Sequence, residues 1–288
     1  MRTLIAVTIP ATAFILLLAV GVDLTTADFA RVRQQRGLLL AGVFAPLVLL
    51  PPIALMLARV LGSPREVVVG VLVLAVCPIG TVSNLYSYLA GASNAIAVTL
   101  TGLSCLIAAA TIPLAGRAVE FVFGIPLEID APIPVLGAQL LIVLALPVVL
   151  GMAARHRAPA LARRSAPTLR RLSIIGTLIM LALIMIDDWG AFVTGLSTTV
   201  PLAAAFVVAS FAAGWMTAVP FSRRSGDRFA IAAEFGARNI GVATAISVTI
   251  LGRVEFARFT ATYSFVELPL MLGAVALFKA RTGQNPTA

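Results

Sequence analysis

Apolar runs of about twenty residues follow one another along the whole chain, the length an α-helix needs to cross a hydrocarbon layer of about 30 Å. The pattern predicts helices at about 3–22, 36–61, 66–89, 93–123, 133–154, 168–187, 198–219, 227–251 and 255–279, nine in all. Composition agrees: 11% of the 288 residues are charged, against about 25% in soluble domains, and the mean hydropathy is +1.04. A chain of this kind is expected to form one all-α integral membrane domain, not a soluble module on an anchor. Arg2 ahead of an apolar run has the look of a signal peptide, but no small-residue cleavage site follows, so the run counts as the first span.

The net charge of +9 raises the question of an anionic partner, and the placement of the charges answers it. Fourteen Lys and Arg fall on one set of connections, around 31–36, 155–171, 223–228 and 279–281. Six fall on the opposite set (Arg2, Arg59, Arg65, Arg117, Arg253 and Arg258), together with acids such as Glu66, Glu128, Asp130 and Glu255. The positive-inside rule then predicts a multi-pass protein of the cell inner (plasma) membrane with the N-terminus outside and the C-terminus cytoplasmic. The basic excess reports topology and not a nucleic-acid footprint. His156 reads as solvated in the basic connection, and Asp187, Asp188 and Trp189 as an interfacial helix end. Cys77 and Cys105 read as buried small hydrophobes.

Two segments break the apolar pattern. CPIGTVSNLYSYLAG, residues 77–91, places Pro78, Gly80, Thr81, Ser83 and Asn84 inside the third span. AAEFGARNIGVATAISVTI, residues 232–250, places Glu234, Gly236, Arg238 and Asn239 inside the eighth. A charge at the centre of a membrane helix costs about 2.5–3.5 kcal/mol on insertion scales, so such residues are usually functional. In both segments an asparagine follows the break, and a helix with a proline (Pro113, Pro269) comes about thirty residues later. Five spans separate the breaks, so the two units face opposite ways, and paired interrupted helices in inverted halves point to a secondary transporter's site. The spacing of Glu234 and Arg238 also allows an ion pair on one helical face. Thr244, Ser247 and Thr249 read as bonding their own helix, and Glu267 before Pro269 as a lip residue in preference to a proton site.

These residues carry a resemblance. CPIGTVSNLYSYLAG resembles the Cys-Pro-Gly-Gly-Thr-x-Ser-Asn segment of the bile acid:sodium symporter family, and EFGARN resembles its Glu-x-Gly-x-Gln-Asn segment. LLAVGVDLTTADFARV and SPREVVVGVLVLAVCP are similar to the end of that family's second helix and the lead into its fourth. The resemblance implies nine helices in inverted repeats, with two discontinuous helices crossing near mid-membrane. It implies a panel (about 1–35 and 130–195) moving against a core (about 36–125 and 196–281), with a small organic anion between them and sodium behind the crossing. The implied protein is a monomeric carrier working by alternating access, with lipid around it and no cofactor beyond the sodium ion.

Carried across position by position, the family's first sodium site falls on Ser83, Asn84, Thr101 and Glu234, while its second hydroxyl on the helix of Thr101 falls on Ala97. The two glutamines of the second site fall on Pro46 and Arg238. A guanidinium has no acceptor and stays charged, so the expectation is an organic-anion carrier whose sodium coupling is weakened or lost. Arg238 either pairs with Glu234 as a built-in cation or binds the anion's carboxylate; a symporter keeping one sodium site is the alternative. Less weight goes to a transporter-like receptor, to arsenite efflux, and to an intramembrane enzyme using Glu234, which would need a nucleophile or metal alongside it.

Overall fold

The computed structural model describes residues 2–25, 30, 34–124 and 133–282. Arg31, Arg33, Glu128 and Asp130 lie outside the described residues. The described chain is helical: α1 (Arg2–Asp23), α2 (Arg36–Val60), α3 (Arg65–Val76), α4 (Val82–Leu89), α5 (Asn94–Phe123), α6 (Ile133–Leu140), α7 (Leu146–Arg157), α8 (Pro159–Asp187), α9 (Trp189–Ala218), α10 (Ser225–Gly236), α11 (Ile240–Ala245) and α12 (Val254–Thr282). A wider π turn, Leu141–Ala145, joins α6 to α7, and a second, Ile246–Ile250, prolongs α11.

Six helices among the described residues are long and apolar enough to cross a membrane: α2, α5, α7 with the turns before it, α8, α9 and α12. The fold is therefore an all-α integral membrane architecture. Its outward side chains fit hydrocarbon: Leu172, Ile174, Ile175, Leu178, Ile179 and Ile186 of α8 all face away from the protein.

Two helix starts differ from the sequence-based expectation. α8 begins at Pro159 and not near 168, because a proline in the first turn lacks only an amide that the helix would leave unpaired anyway. α9 begins at Trp189 and not near 198, because the Asp188 carboxylate accepts from the Ala191 amide at 3.0 Å and caps the helix. Arg163, Arg164, Arg170 and Arg171 consequently project from a helix and not from a loop, and His156 sits in the last turn of α7. Arg170 forks onto Asp23 of α1, Nη2 to Oδ1 at 2.7 Å and Nε to Oδ2 at 3.1 Å.

Helix–helix contacts are most extensive within two groups of helices, with substantial contacts also between the groups. α1 lies along α7 and α8. Its backbone touches that of α7: a methyl group on Gly21 would stand 2.1 Å from the Val148 carbonyl oxygen, and one on Gly151 2.4 Å from that of Leu18. Small residues at such positions let membrane helices approach closely enough for van der Waals contact to hold them. In the other group α9 packs on α10, α12 and α2, α3 lies between α2 and α12, and α10 reaches α4 and α5. The turn after α4 is tied to α10 through Asp227, whose carboxylate accepts from Ser93 and, at 2.7 Å, from Ser222. Between the groups α1 meets α11, α5 meets α6 and its π turn, and α12 meets α8.

Candidate functional site

The two interrupted helices meet at their breaks. α3 ends at Val76 and Cys77 is extended (φ −66°, ψ 157°); α10 ends at Gly236, and Ala237 (φ −114°, ψ 93°) and Asn239 (φ −76°, ψ 91°) carry the chain on to α11. Ile79 and Arg238 then pair as antiparallel strands. The Gly80 amide donates to the Ala237 carbonyl and the Asn239 amide to the Pro78 carbonyl, each at 2.9 Å. Away from water a freed amide or carbonyl must find a partner within the protein, and here each break supplies the other's. Glycine at 80 is required by the approach: a methyl group there would stand 2.6 Å from the Arg238 carbonyl oxygen.

Neighbouring side chains complete the junction. The Ile79 amide donates to Ser104 Oγ at 3.1 Å, and Asn239 Oδ1 accepts from the Val242 amide at 3.0 Å, capping α11. The Tyr263 hydroxyl of α12 donates to the Gly236 carbonyl, the last of α10. Ser247 and Thr249 bond carbonyls of their own helix, whereas Thr244 pairs with Thr260 of α12 at 2.8 Å.

Beside the crossing, oxygens from α4, α5 and α10 converge on Thr101. Its Oγ1 donates to Glu234 Oε2 at 3.0 Å, lies 3.4 Å from Asn84 Oδ1 and stands 3.5 Å from Ser83 Oγ. Ser83 Oγ donates back to the Gly80 carbonyl at 2.8 Å. Ser83 and Glu234 are fully buried, and Glu234 Oε1 has no hydrogen-bond partner. The structure thus brings together Ser83, Asn84, Thr101 and Glu234, an all-oxygen set with an orphaned carboxylate oxygen, which suits a hard cation. Ala97, one turn before Thr101 on α5, is buried and adds no oxygen.

Arg238 faces elsewhere. Among the described residues it forms no ion pair with Glu234, which corrects the pairing expected from their spacing. Its Nη2 donates to the Cys77 carbonyl and lies 3.5 Å from that of Ala75, at the C-terminal end of α3. A four-residue spacing joins side chains only along a continuous helix, and α10 stops at Gly236, between the two. The negative end of the α3 dipole and its unpaired carbonyls provide the alternative. Arg238 is 2% exposed, and its Nε and Nη1 have no hydrogen-bond partner. Pro46, the other departure from the family's second sodium site, is buried on α2 and offers no side-chain oxygen. Neither Pro46 nor Arg238 supplies a side-chain oxygen here.

Glu267 is the residue that sequence reasoning misplaced. It is 1% exposed, it lies near Tyr86 of α4, and its Oε1 has no hydrogen-bond partner. It is no lip residue. Tyr86 and Tyr263, both buried, also escaped notice, since aromatic residues in apolar runs give no polar signal.

Two interrupted helices that satisfy one another's backbone inside an all-α membrane domain are the architecture of multi-pass secondary carriers. The chain belongs to the Sodium Bile acid symporter family, whose match runs over residues 10–194. It is 34% identical over 100 residues to the uncharacterized sodium-dependent transporter YocS of Bacillus subtilis (strain 168), a stretch covering 35% of this chain and 31% of YocS. It is 24% identical over 226 residues to the P3 protein of Mus musculus, covering 75% of this chain and 46% of that protein. The aligned stretches thus span less than half the length of either relative.

Proposed function

We propose that this chain is a secondary transporter of small organic anions, working by alternating access, whose second coupling cation has been replaced by the guanidinium of Arg238. The observation that carries the reading is the placement of that guanidinium on the Cys77 and Ala75 carbonyls, at the break where the family's second sodium ligands fall. Two unit charges about 4 Å apart at an effective dielectric of about 20 repel by about 4 kcal/mol, close to a thousandfold in affinity. Sodium does not bind beside Arg238 while it stays there.

The division into panel (α1, α6–α7 and α8) and core (the remaining helices) draws support from the packing. Counting α3–α4, α6–α7 and α10–α11 as one span each gives nine crossings, an external N-terminus and a cytoplasmic C-terminus in the inner membrane. The carrier works as a monomer. Its anion binds between panel and core.

A second reading keeps one sodium at Ser83, Asn84, Thr101 and Glu234, favoured by the unpartnered Glu234 Oε1 and by the sodium-dependent description of YocS. Uptake of a radiolabelled bile acid into proteoliposomes, with its sodium stoichiometry, separates the two. A stoichiometry of two ends the built-in-cation reading, a value of one means that a sodium at the first site is kept beside the Arg238 replacement, and sodium-independent movement means that neither sodium site is used. Arg238→Gln combined with Pro46→Gln should create a stabilisation in sodium over potassium that the parent protein lacks at that position.

A further inference from the structure

The carboxyl of Glu267 takes no part in the sodium-type cluster, yet it is buried at the seam between α12 and α4. Four residues apart on α12, Tyr263 and Glu267 reach both interrupted helices. Tyr263 donates to the last carbonyl of α10, and Glu267 meets Tyr86, one turn beyond Ser83 on α4. One face of α12 thus touches both elements that form the crossing.

The titratable groups that interact with Glu267 are Tyr86 from α4 and Tyr263 on its own helix. No cation pairs with the carboxyl among the described residues, and one of its oxygens has no hydrogen-bond partner. An ionisable side chain inside a membrane protein without a counter-charge marks an ion or proton pathway. A carboxylate left there bare must either take up a proton or draw in water, and water enters only if α4 and α12 separate.

We propose that Glu267 is a proton-binding site of this carrier, protonated while α4 is docked on α12 and releasing its proton to water when the two helices part. In the docked state the protonated carboxyl stays buried beside Tyr86, with no charge left bare at its unpartnered oxygen. Release leaves a carboxylate that requires hydration, so proton loss is linked to opening of the seam and, through Tyr86 and Tyr263, to both breaks. A proton bound here would couple transport to the proton gradient, and the proposal in this respect rests on the transport reading above.

Infrared difference spectroscopy of the lipid-reconstituted protein across pH tests the site without any substrate. A protonated-carboxyl carbonyl band should diminish as pH rises, be lost in Glu267→Gln and persist in Glu234→Gln. Gln resembles the protonated acid in shape and hydrogen bonding, so the variant should keep the docked seam. Tyr86→Phe should retain the band with a shifted midpoint. A wild-type protein without a titrating carboxyl band, a band unchanged in Glu267→Gln, or an unshifted midpoint in Tyr86→Phe overturns the proposal. In proteoliposomes, accumulation of radiolabelled cholate on an inward proton gradient should be lost in Glu267→Gln while cholate exchange continues; accumulation that survives the substitution also overturns it. If cholate moves in neither protein, the substrate reading fails, and the infrared titration decides the proton site by itself.

Discussion

Replacing Gly80 by alanine tests the backbone crossing directly. The added methyl group would lie 2.6 Å from the Arg238 carbonyl oxygen, 3.0 Å from its carbon and 3.3 Å from the Ala237 oxygen. All three are backbone atoms, so no side-chain rotation relieves the clash. Restoring ordinary contact requires the strands to part by roughly 0.8 Å, which stretches the two 2.9 Å bonds to about 3.7 Å, beyond hydrogen-bonding range. Counting about 1–3 kcal/mol for each of the two broken bonds, the substitution should destabilise by about 2–6 kcal/mol. Gly236→Ala is the matched control. There the new methyl group meets the Met271 sulfur at 3.1 Å, the end of a flexible side chain. Alanine's better helix propensity, about 1 kcal/mol, offsets that crowding, and the net change should stay within about 1 kcal/mol. Unfolding by SDS in mixed micelles, followed through Trp189 and Trp215, measures both. Equal losses in the two variants, or a Gly80→Ala loss below about 1 kcal/mol, would refute the crossing as described.

Thr101→Val removes the hydroxyl that satisfies Glu234 Oε2 while keeping the shape, and should cost about 1–3 kcal/mol in the same assay. Asp227→Ala should release the Ser93 turn from α10, seen as faster amide hydrogen exchange at residues 90–94 with the rest of the chain unchanged. Gly21→Val and Gly151→Val should each separate α1 from α7 and lower the yield of folded protein in gel filtration, since the contacts at both positions are with backbone. Arg258→Ala breaks the ion pair with Asp188, whose side chain is 48% exposed, and should change stability by no more than about 1 kcal/mol, the range of surface pairs.

The breaks at 78–80 and 236–238 were legible because proline, glycine and clustered polar residues have no place in a hydrocarbon-spanning helix unless protein receives the freed backbone. Where the side chains went was legible only in part. Ser83, Asn84 and Glu234 stand beside the breaks, and Thr101 of the unbroken α5 meets all three, as the resemblance implied. Arg238 did not pair with Glu234, because the helix ends between them and helical spacing stops predicting neighbours there. Glu267 read as a lip residue because the apolar run at 255–279 does not show which of its faces meets other helices; α12 buries it. Asp188 carried a capping signal, but the acids beside it made the segment read as an interface, and α9 was expected too short.

The antiparallel pairing at the crossing also constrains how the protein is made. Cys77 and Arg238 lie 161 positions apart in the chain, so a ribosome finishes the first interrupted helix long before its partner exists. At about 5–20 residues per second that interval is roughly 8 to 32 s, during which the carbonyls of Ala75, Cys77 and Pro78 have no native donor. The nascent segment must remain beside the insertion machinery, or at the wet edge of the bilayer, until the second half arrives. Stalled chains ending before residue 225 should therefore be poorly held in the membrane at residues 77–82, however apolar the flanking helices are.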